Sequence, residues 1–183
     1  MDETDFTDFV THRGPALLRT AYLLCGGDRG AAEDLLQDVL ERAYPRWRRI
    51  RGRPEPYLRA ALANAAANRW RNRSRRVSEV PLRDEAPPAW PGPEQQIVEE
   101  DRVVRGLHAL PPRMRAVLVL RFFDDMAEAE VAKALRCSLG TVKSQTSRGL
   151  ARLREVLDDD LPADHPDDLP ADLPAPVHER TTT

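Results

Sequence analysis

The stretch AEAEVAKALRCSLGTVKSQTSRGLARLREVL, residues 127–157, indicates the fold more clearly than any other part of the chain. Residues 127–135 have the composition of a short helix, 136–140 that of a turn, and 141–157 that of a longer helix with a polar, basic start. These are the proportions of a helix-turn-helix. At about 100° per residue, one side of the last helix collects Val142, Thr146, Leu150, Leu153 and Leu157.

The opposite side of that helix is polar and cationic. It carries Thr141, Ser144, Gln145, Arg148 and Arg152, with Lys143 at its margin. Side chains that donate hydrogen bonds and carry positive charge suit base edges and phosphates of duplex DNA. The alternative is an ordinary solvated helix face in a generic bundle.

Two proline-rich stretches divide the chain. Residues 77–95 and 158–183 hold five prolines each and no helical period, which predicts an extended acidic linker and a disordered acidic tail. The remainder forms two units, 1–76 and 96–157. The second unit opens with a helix over about 96–109, followed by the almost wholly apolar helix 113–123.

The N-terminal unit reads as three amphipathic helices, and so as a small bundle. The first runs from about Phe6 to Leu24, in one piece or in two with a break at Gly14-Pro15, and the third starts near Pro56. The middle helix, 31–44, has a predicted buried stripe of Ala32, Leu35, Leu36, Val39 and Ala43. The fold class is therefore all-α, with two small helical domains.

An acidic stripe lies opposite the buried stripe of the middle helix. Asp34, Gln37, Asp38 and Glu41 recur there at i, i+3, i+4 and i+7. Taken alone, such a face is a solvent face. In a chain that binds DNA it has to point away from phosphate, and a basic surface on a protein partner is its natural counterpart.

The net charge of -2 hides strong segregation. Residues 42–76 carry twelve arginines against one glutamate, and residues 102–157 carry eleven basic against five acidic side chains. Two basic blocks indicate two sites for a polyanion. Within the first, Trp47, Tyr57 and Trp70 could stack on unpaired bases or belong to the core.

Several other classes are excluded or disfavoured by the composition. No run of about 18 apolar residues exists, and the acidic N-terminus lacks a signal-peptide plan, so a cytoplasmic protein without membrane insertion is expected. Two cysteines and four scattered histidines offer no metal site, no cofactor site and no catalytic set, so no enzyme is expected.

Three segments resemble an extracytoplasmic-function sigma factor of the sigma-70 family, in its SigE-like subgroup. They are AEDLLQDVLERAY, PYLRAALANAAANRWRNRSRR and LPPRMRAVLVLRFFDDMAEAEVAKALRCSLGTVKSQTSRGLARLR. The resemblance implies that 1–76 is sigma region 2 and 96–157 is sigma region 4. It implies a subunit that binds core RNA polymerase and directs promoter recognition, DNA melting and initiation.

The resemblance also implies roles for single residues. Asp34, Gln37, Asp38 and Glu41 would dock on the beta-prime clamp helices, and the apolar helix 113–123 would meet the beta flap. The melted −10 strand would contact Asn64, Asn68, Arg69 and Arg71. The −35 duplex would be read by Thr141, Lys143, Ser144, Gln145 and Arg148. An anti-sigma factor is a further partner of the class, which no residue here identifies.

Four positions depart from the family pattern. Asn68 replaces a frequent Asp and Ala63 a larger residue, and the other two positions lie in the helix-turn-helix. Ala127 stands where Ser or Thr usually caps the first helix of the motif, and Asp124 or Asp125 would have to serve instead. Arg136 stands where glycine commonly takes a left-handed turn. The main rival reading is a stand-alone helix-turn-helix regulator that binds a palindromic site as a dimer, although no dimer helix is evident.

Overall fold

Alanine, leucine and arginine favour helix throughout the chain, and helices are what form. The computed structural model describes residues 3–50, 53–75 and 102–159, and these ranges contain helices and turns but no strand. The predicted all-α class is confirmed. The elements are α1 (Glu3–Leu24), α2 (Arg29–Ala43), a 3₁₀ helix (Tyr44–Arg49), α3 (Pro54–Arg75), α4 (102–108), α5 (Pro112–Leu118), a π-helical turn (Val119–Phe123), α6 (Glu128–Ala134) and α7 (Leu139–Asp159).

The first three helices form the N-terminal bundle. Helix α1 runs through Pro15 without a break, because its buried face continues on the far side at Leu17 and Ala21. Asp28 caps α2 by accepting a hydrogen bond of 2.8 Å from the Ala31 amide. The core where the three helices meet consists of Leu17, Ala21, Leu24, Ala32, Leu35, Val39, Leu58 and Leu62.

The helix-turn-helix has the predicted proportions, but its helices begin and are capped at different residues from those predicted. Arg136 has φ +51°, the left-handed turn that the family usually builds from glycine. Ser138 caps α7, because its Oγ accepts a hydrogen bond of 3.1 Å from the Thr141 amide, so the helix starts two residues earlier than predicted. At α6, Glu130 accepts a hydrogen bond of 2.9 Å from the Ala127 amide, whereas Asp124 bonds elsewhere.

The two units pack against each other. Helix α3 contacts α5 and α6, and α1 contacts α5 and the π-helical turn. Arg115 is only 4% exposed, and its guanidinium donates a hydrogen bond of 3.0 Å to the Leu24 carbonyl at the end of α1. The sequence did not predict this interface. The predicted linker 77–95 lies outside the described residues, as does the predicted tail except Asp158 and Asp159, which extend α7.

Candidate protein and nucleic-acid interfaces

The acidic stripe lies on the outer face of α2. Asp34, Gln37 and Glu41 are exposed and Asp38 is half-buried. Gln37 donates a hydrogen bond of 2.9 Å to Glu41, and this contact orients the carboxylate beside it. Asp38 forms an ion pair of 2.5 Å with Arg69 of α3. The stripe is therefore one connected surface, anchored at its middle to the third helix.

An apolar groove of about 490 Å³ runs beside the stripe, between α1 and α2. Its floor and walls are apolar and its rim is polar: it is lined by Phe6, Leu18, Leu36, Leu40 and Tyr44, with Glu33, Gln37 and Glu41. The prediction that Leu36 is buried was wrong, because Leu35 and Val39 lie in the core whereas Leu36 is only half-buried and lines the groove. The spacing of Leu36 and Leu40 by four residues was the sequence signal that α2 has a second row of apolar side chains, which lines the groove.

The predicted −10 residues on α3 are not gathered on one free face. Asn64 is half-buried and its Nδ2 donates hydrogen bonds to the carbonyls of Ala60 (2.8 Å) and of Ala134 in α6 (2.7 Å). Arg69 turns toward α2, where it donates to Asp38 and to the Ala31 and Asp34 carbonyls. Asn68 is exposed, and the side chain of Arg71 lies outside the described residues.

The three aromatic residues of the basic block have different environments. Trp47 is a core residue whose ring centroid lies 4.9 Å from that of Phe6 and 5.0 Å from that of Phe9. Tyr57 and Trp70 are 43% and 47% exposed. The core alternative therefore holds for Trp47, whereas Tyr57 and Trp70 lie at the surface.

The outward face of α7 matches its prediction in part. Val142 is fully buried, which directs Lys143, Ser144 and Arg148 to solvent. Arg148 donates from Nε to the Ser144 carbonyl at 3.2 Å and from Nη2 to the Ser144 Oγ at 3.3 Å. Thr141 and Gln145 are half-buried, and Thr141 Oγ1 lies 2.8 Å from Ser138 Oγ. Ser138, missed by the sequence analysis, therefore orders the start of this surface.

Burial also changes the chemistry of one of the two cysteines. Burial raises the pKa of the Cys25 thiol to about 11, and the nearby Asp28 carboxylate adds to this effect, so the group stays a neutral thiol. The described residues contain no group of three or more side chains that could hold a metal ion. No helix within the described ranges has the length and apolarity needed to cross a membrane.

Comparisons with known proteins identify the family of this chain. The model for sigma-70 region 2 matches residues 9–76, and the model for sigma-70 region 4 matches residues 100–153. The RNA polymerase sigma-E factor of Streptomyces coelicolor is 38% identical over 155 residues, which cover 84% of this chain and 86% of that protein. The ECF RNA polymerase sigma factor SigE of Mycolicibacterium smegmatis is 32% identical over 157 residues, which cover 82% of this chain and 60% of that protein.

Solved structures share the fold of this chain. The sigma factor RpoE from Bartonella quintana, solved with the anti-sigma factor NepR, superimposes with a TM-score of 0.67 at 25% identity and covers 86% of this chain and 99% of that one. CnrH, solved with the cytosolic domain of CnrY, shares the fold with a TM-score of 0.59 at 24% identity and covers 87% of this chain and 92% of that one. The resemblance inferred from the sequence is confirmed, and the chain belongs to the sigma-70 family as an extracytoplasmic-function sigma factor of the sigma-E-like group.

Proposed function

We propose that this sigma factor attaches to core RNA polymerase through the acidic stripe and the adjoining groove, and reads promoter DNA through α3 and α7. The observation that carries the proposal is the pairing of a carboxylate row with an apolar groove on one side of the N-terminal bundle. A basic amphipathic helix pair is complementary to both features at once. The beta-prime clamp helices, which the family resemblance named, fit that description.

The C-terminal unit would contribute the second attachment. The π-helical turn exposes Phe122 and Phe123 beside the buried helix α5. Exposed aromatic side chains on an otherwise well-packed unit mark a protein contact. The beta flap of the polymerase is the partner proposed for them.

The DNA contacts divide by chemistry. Lys143, Ser144 and Arg148 on α7, with Thr141 and Gln145 at the edge of that face, would read the −35 element as duplex in the major groove. The α3 side chains named above, together with Tyr57 and Trp70, would hold the melted −10 strand. Melting would draw on binding free energy, because unstacked bases gain contacts that paired bases lack.

The remaining assignments follow from the family. Residues 1–76 would act as region 2 and 96–157 as region 4, joined by 77–95 and followed by the tail 158–183. The chain is a non-enzymatic transcription factor by family, and its place of action would be the cytoplasm, where the polymerase is. An anti-sigma factor is a proposed further partner, since the RpoE relative was solved with one.

Charge reversal on α2 tests the attachment. Glu41→Lys should weaken capture of the full chain by core polymerase at least tenfold, because the substitution places a cation opposite a basic partner surface. Glu155→Lys, on exposed α7, makes the same change in net charge away from the stripe and serves as the control. Equal capture of wild type and Glu41→Lys would refute the assignment of the stripe. A separate experiment, in vitro transcription with core polymerase on a fragment library, would identify the promoters.

A further inference from the structure

The turn of the helix-turn-helix carries an arginine in a backbone conformation that glycine adopts more readily. Arg136 has φ +51°. Its amide donates a hydrogen bond of 3.4 Å to the Lys133 carbonyl, and the next amide, that of Cys137, donates one of 3.0 Å to the Ala132 carbonyl. These two bonds form the Schellman motif that ends many helices. They fix the backbone at Arg136, so its side chain leaves the turn from a defined point.

An arginine at this point has no partner within the described ranges. Its side chain is exposed, and its guanidinium forms neither a hydrogen bond nor an ion pair with another described residue. The Cβ atom crowds the backbone in the left-handed region. The dipoles of α6, which ends here, and of α7, which begins here, act in opposite directions on a cation. Packing and pairing inside the described protein therefore do not stabilise this side chain, and a partner outside the chain would.

Arg136 lies at the edge of the proposed −35 surface. Its Cα is at most about 8 Å from that of Ser138, which caps α7, since consecutive Cα atoms are about 3.8 Å apart. A recognition helix inserts its N-terminal residues into the major groove, which is about 12 Å wide and is bordered by the two phosphate backbones. When the start of α7 lies in the groove, a long side chain two residues before the cap is within reach of the bordering phosphates.

The charges around the turn favour an anion as the partner. The exposed cations Lys133 and Lys143 lie on the helices before and after the turn. The carboxylates of α6, those of Glu128 and Glu130, belong to its first turn, at the end away from Arg136. Phosphate is the anion that duplex DNA presents, and a planar guanidinium can donate two hydrogen bonds to it at once.

We propose that Arg136 binds a DNA phosphate at the border of the −35 element, and so makes a contact that glycine at this position could not make. This inference rests on the proposed function, in which α7 reads that element. A phosphate contact carries no sequence information itself, so it strengthens binding to every −35 sequence and fixes the register of α7 in the groove. It also makes binding more sensitive to salt, because each neutralised phosphate releases counterions.

The salt dependence of promoter binding tests this contact. Holoenzyme is assembled from the full chain and core polymerase, and its affinity for a promoter identified by in vitro transcription is measured from about 50 to about 200 mM salt. Arg136→Ala removes the charge, so the slope of log affinity against log salt should become shallower by about 0.9. Over this fourfold range of salt, the affinity of wild type should therefore fall about 3.5-fold more than that of the variant. Arg136→Lys keeps the charge and should keep most of the slope.

Two further variants separate the contact from effects on the fold. Arg136→Gly relieves the backbone strain and should be at least as stable as wild type, yet its slope should be as shallow as that of Arg136→Ala. Arg154→Ala is the matched control, because it removes another exposed arginine about 22 Å along α7 from Leu139, at about 1.5 Å per residue. This control should keep the wild-type slope.

Neutral methylphosphonates, placed one at a time in the −35 duplex, locate the contact. At one position, the substitution should weaken binding of wild type by the same factor as Arg136→Ala does on unmodified DNA. The same duplex should bind Arg136→Ala no more weakly than unmodified DNA does. A purely structural role of Arg136 would not produce this dependence on a single phosphate.

The phosphate contact is refuted if Arg136→Ala and Arg136→Gly keep the wild-type slope, or if no methylphosphonate distinguishes them from wild type. A changed order of preference among −35 sequences would also refute it, because that result would assign Arg136 to a base edge. Arg148→Ala separates this inference from the proposed function. If it weakens promoter binding while the Arg136 variants do not, only the phosphate contact fails, whereas no effect of either would refute the assignment of α7 as well.

Discussion

Replacing Arg136 by glycine should stabilise this protein, although it removes a charged side chain from the helix-turn-helix. Arg136 sits in the turn between α6 and α7 with φ +51°, and its side chain is exposed. A Cβ in the left-handed region costs about 1–2 kcal/mol, which glycine does not pay. The greater conformational freedom of glycine in the unfolded chain offsets about 0.4–1 kcal/mol of this gain. The net gain is about 0.5–1 kcal/mol.

Urea unfolding of the full chain, followed by circular dichroism, measures this change in free energy. A gain of about 0.5–1 kcal/mol also corresponds to about 1–4 °C in melting temperature for a chain of this size. Arg136→Ala is the matched control, since it removes the same guanidinium and keeps the Cβ, and it should show no gain. If glycine and alanine changed stability equally, the backbone at Arg136 would not be strained and the reasoning would fail.

Three other perturbations test the buried chemistry and the packing. Burial raises the pKa of Asp124, opposed by the Thr20 hydrogen bond and by Arg59, so the folded protein retains this proton more readily than the unfolded chain does. In paired urea titrations, the free energy of unfolding of wild type should therefore rise relative to that of Asp124→Asn as the pH falls from 7 toward 4. A difference between the two proteins that stays constant with pH would contradict this. The groups facing the carboxylate are Thr20, Arg59, Glu55 and Arg19. The pKa of Cys25 is raised to about 11, so this thiol should react with iodoacetamide at pH 8 about 100-fold more slowly in the folded protein than in urea. Mass spectrometry follows the reaction, and comparable rates in the two conditions would show that the thiol is not protected. Gly27→Ala should lower the melting temperature markedly, because φ is +90° and the new Cβ would come within 2.5 Å of Val104 Cγ1, whereas an unchanged melting temperature would show that the turn yields easily.

The helices and the family could be predicted from the sequence because their signals are local. The periodic apolar residues predicted the first and last residues of α2 and α7 to within two or three positions of those observed. The order of the motifs identified the sigma-70 family. The left-handed conformation of Arg136 was expected only from the family resemblance, because the family commonly has glycine at that position.

The candidate site was predictable only in part. Asp34, Gln37 and Glu41 lie exposed on one face of α2 as predicted, because a single helix sets their relative positions. Asp38 and Arg69 were assigned to two separate surfaces, yet they form one ion pair, because α2 and α3 pack side by side. The groove was missed for a similar reason, since its two walls come from helices that meet only in the folded bundle.

The sequence by itself determined the helical class, the two basic units and the membership of the sigma-70 family, all of which depend on residue type and spacing within single segments. Only the tertiary structure decided that Asp124 pairs with Thr20 and Arg59 rather than capping α6, and that Asn64 meets Ala134. Such contacts join residues 65 to 104 positions apart, and no periodicity along the chain records which faces of two separate units come together.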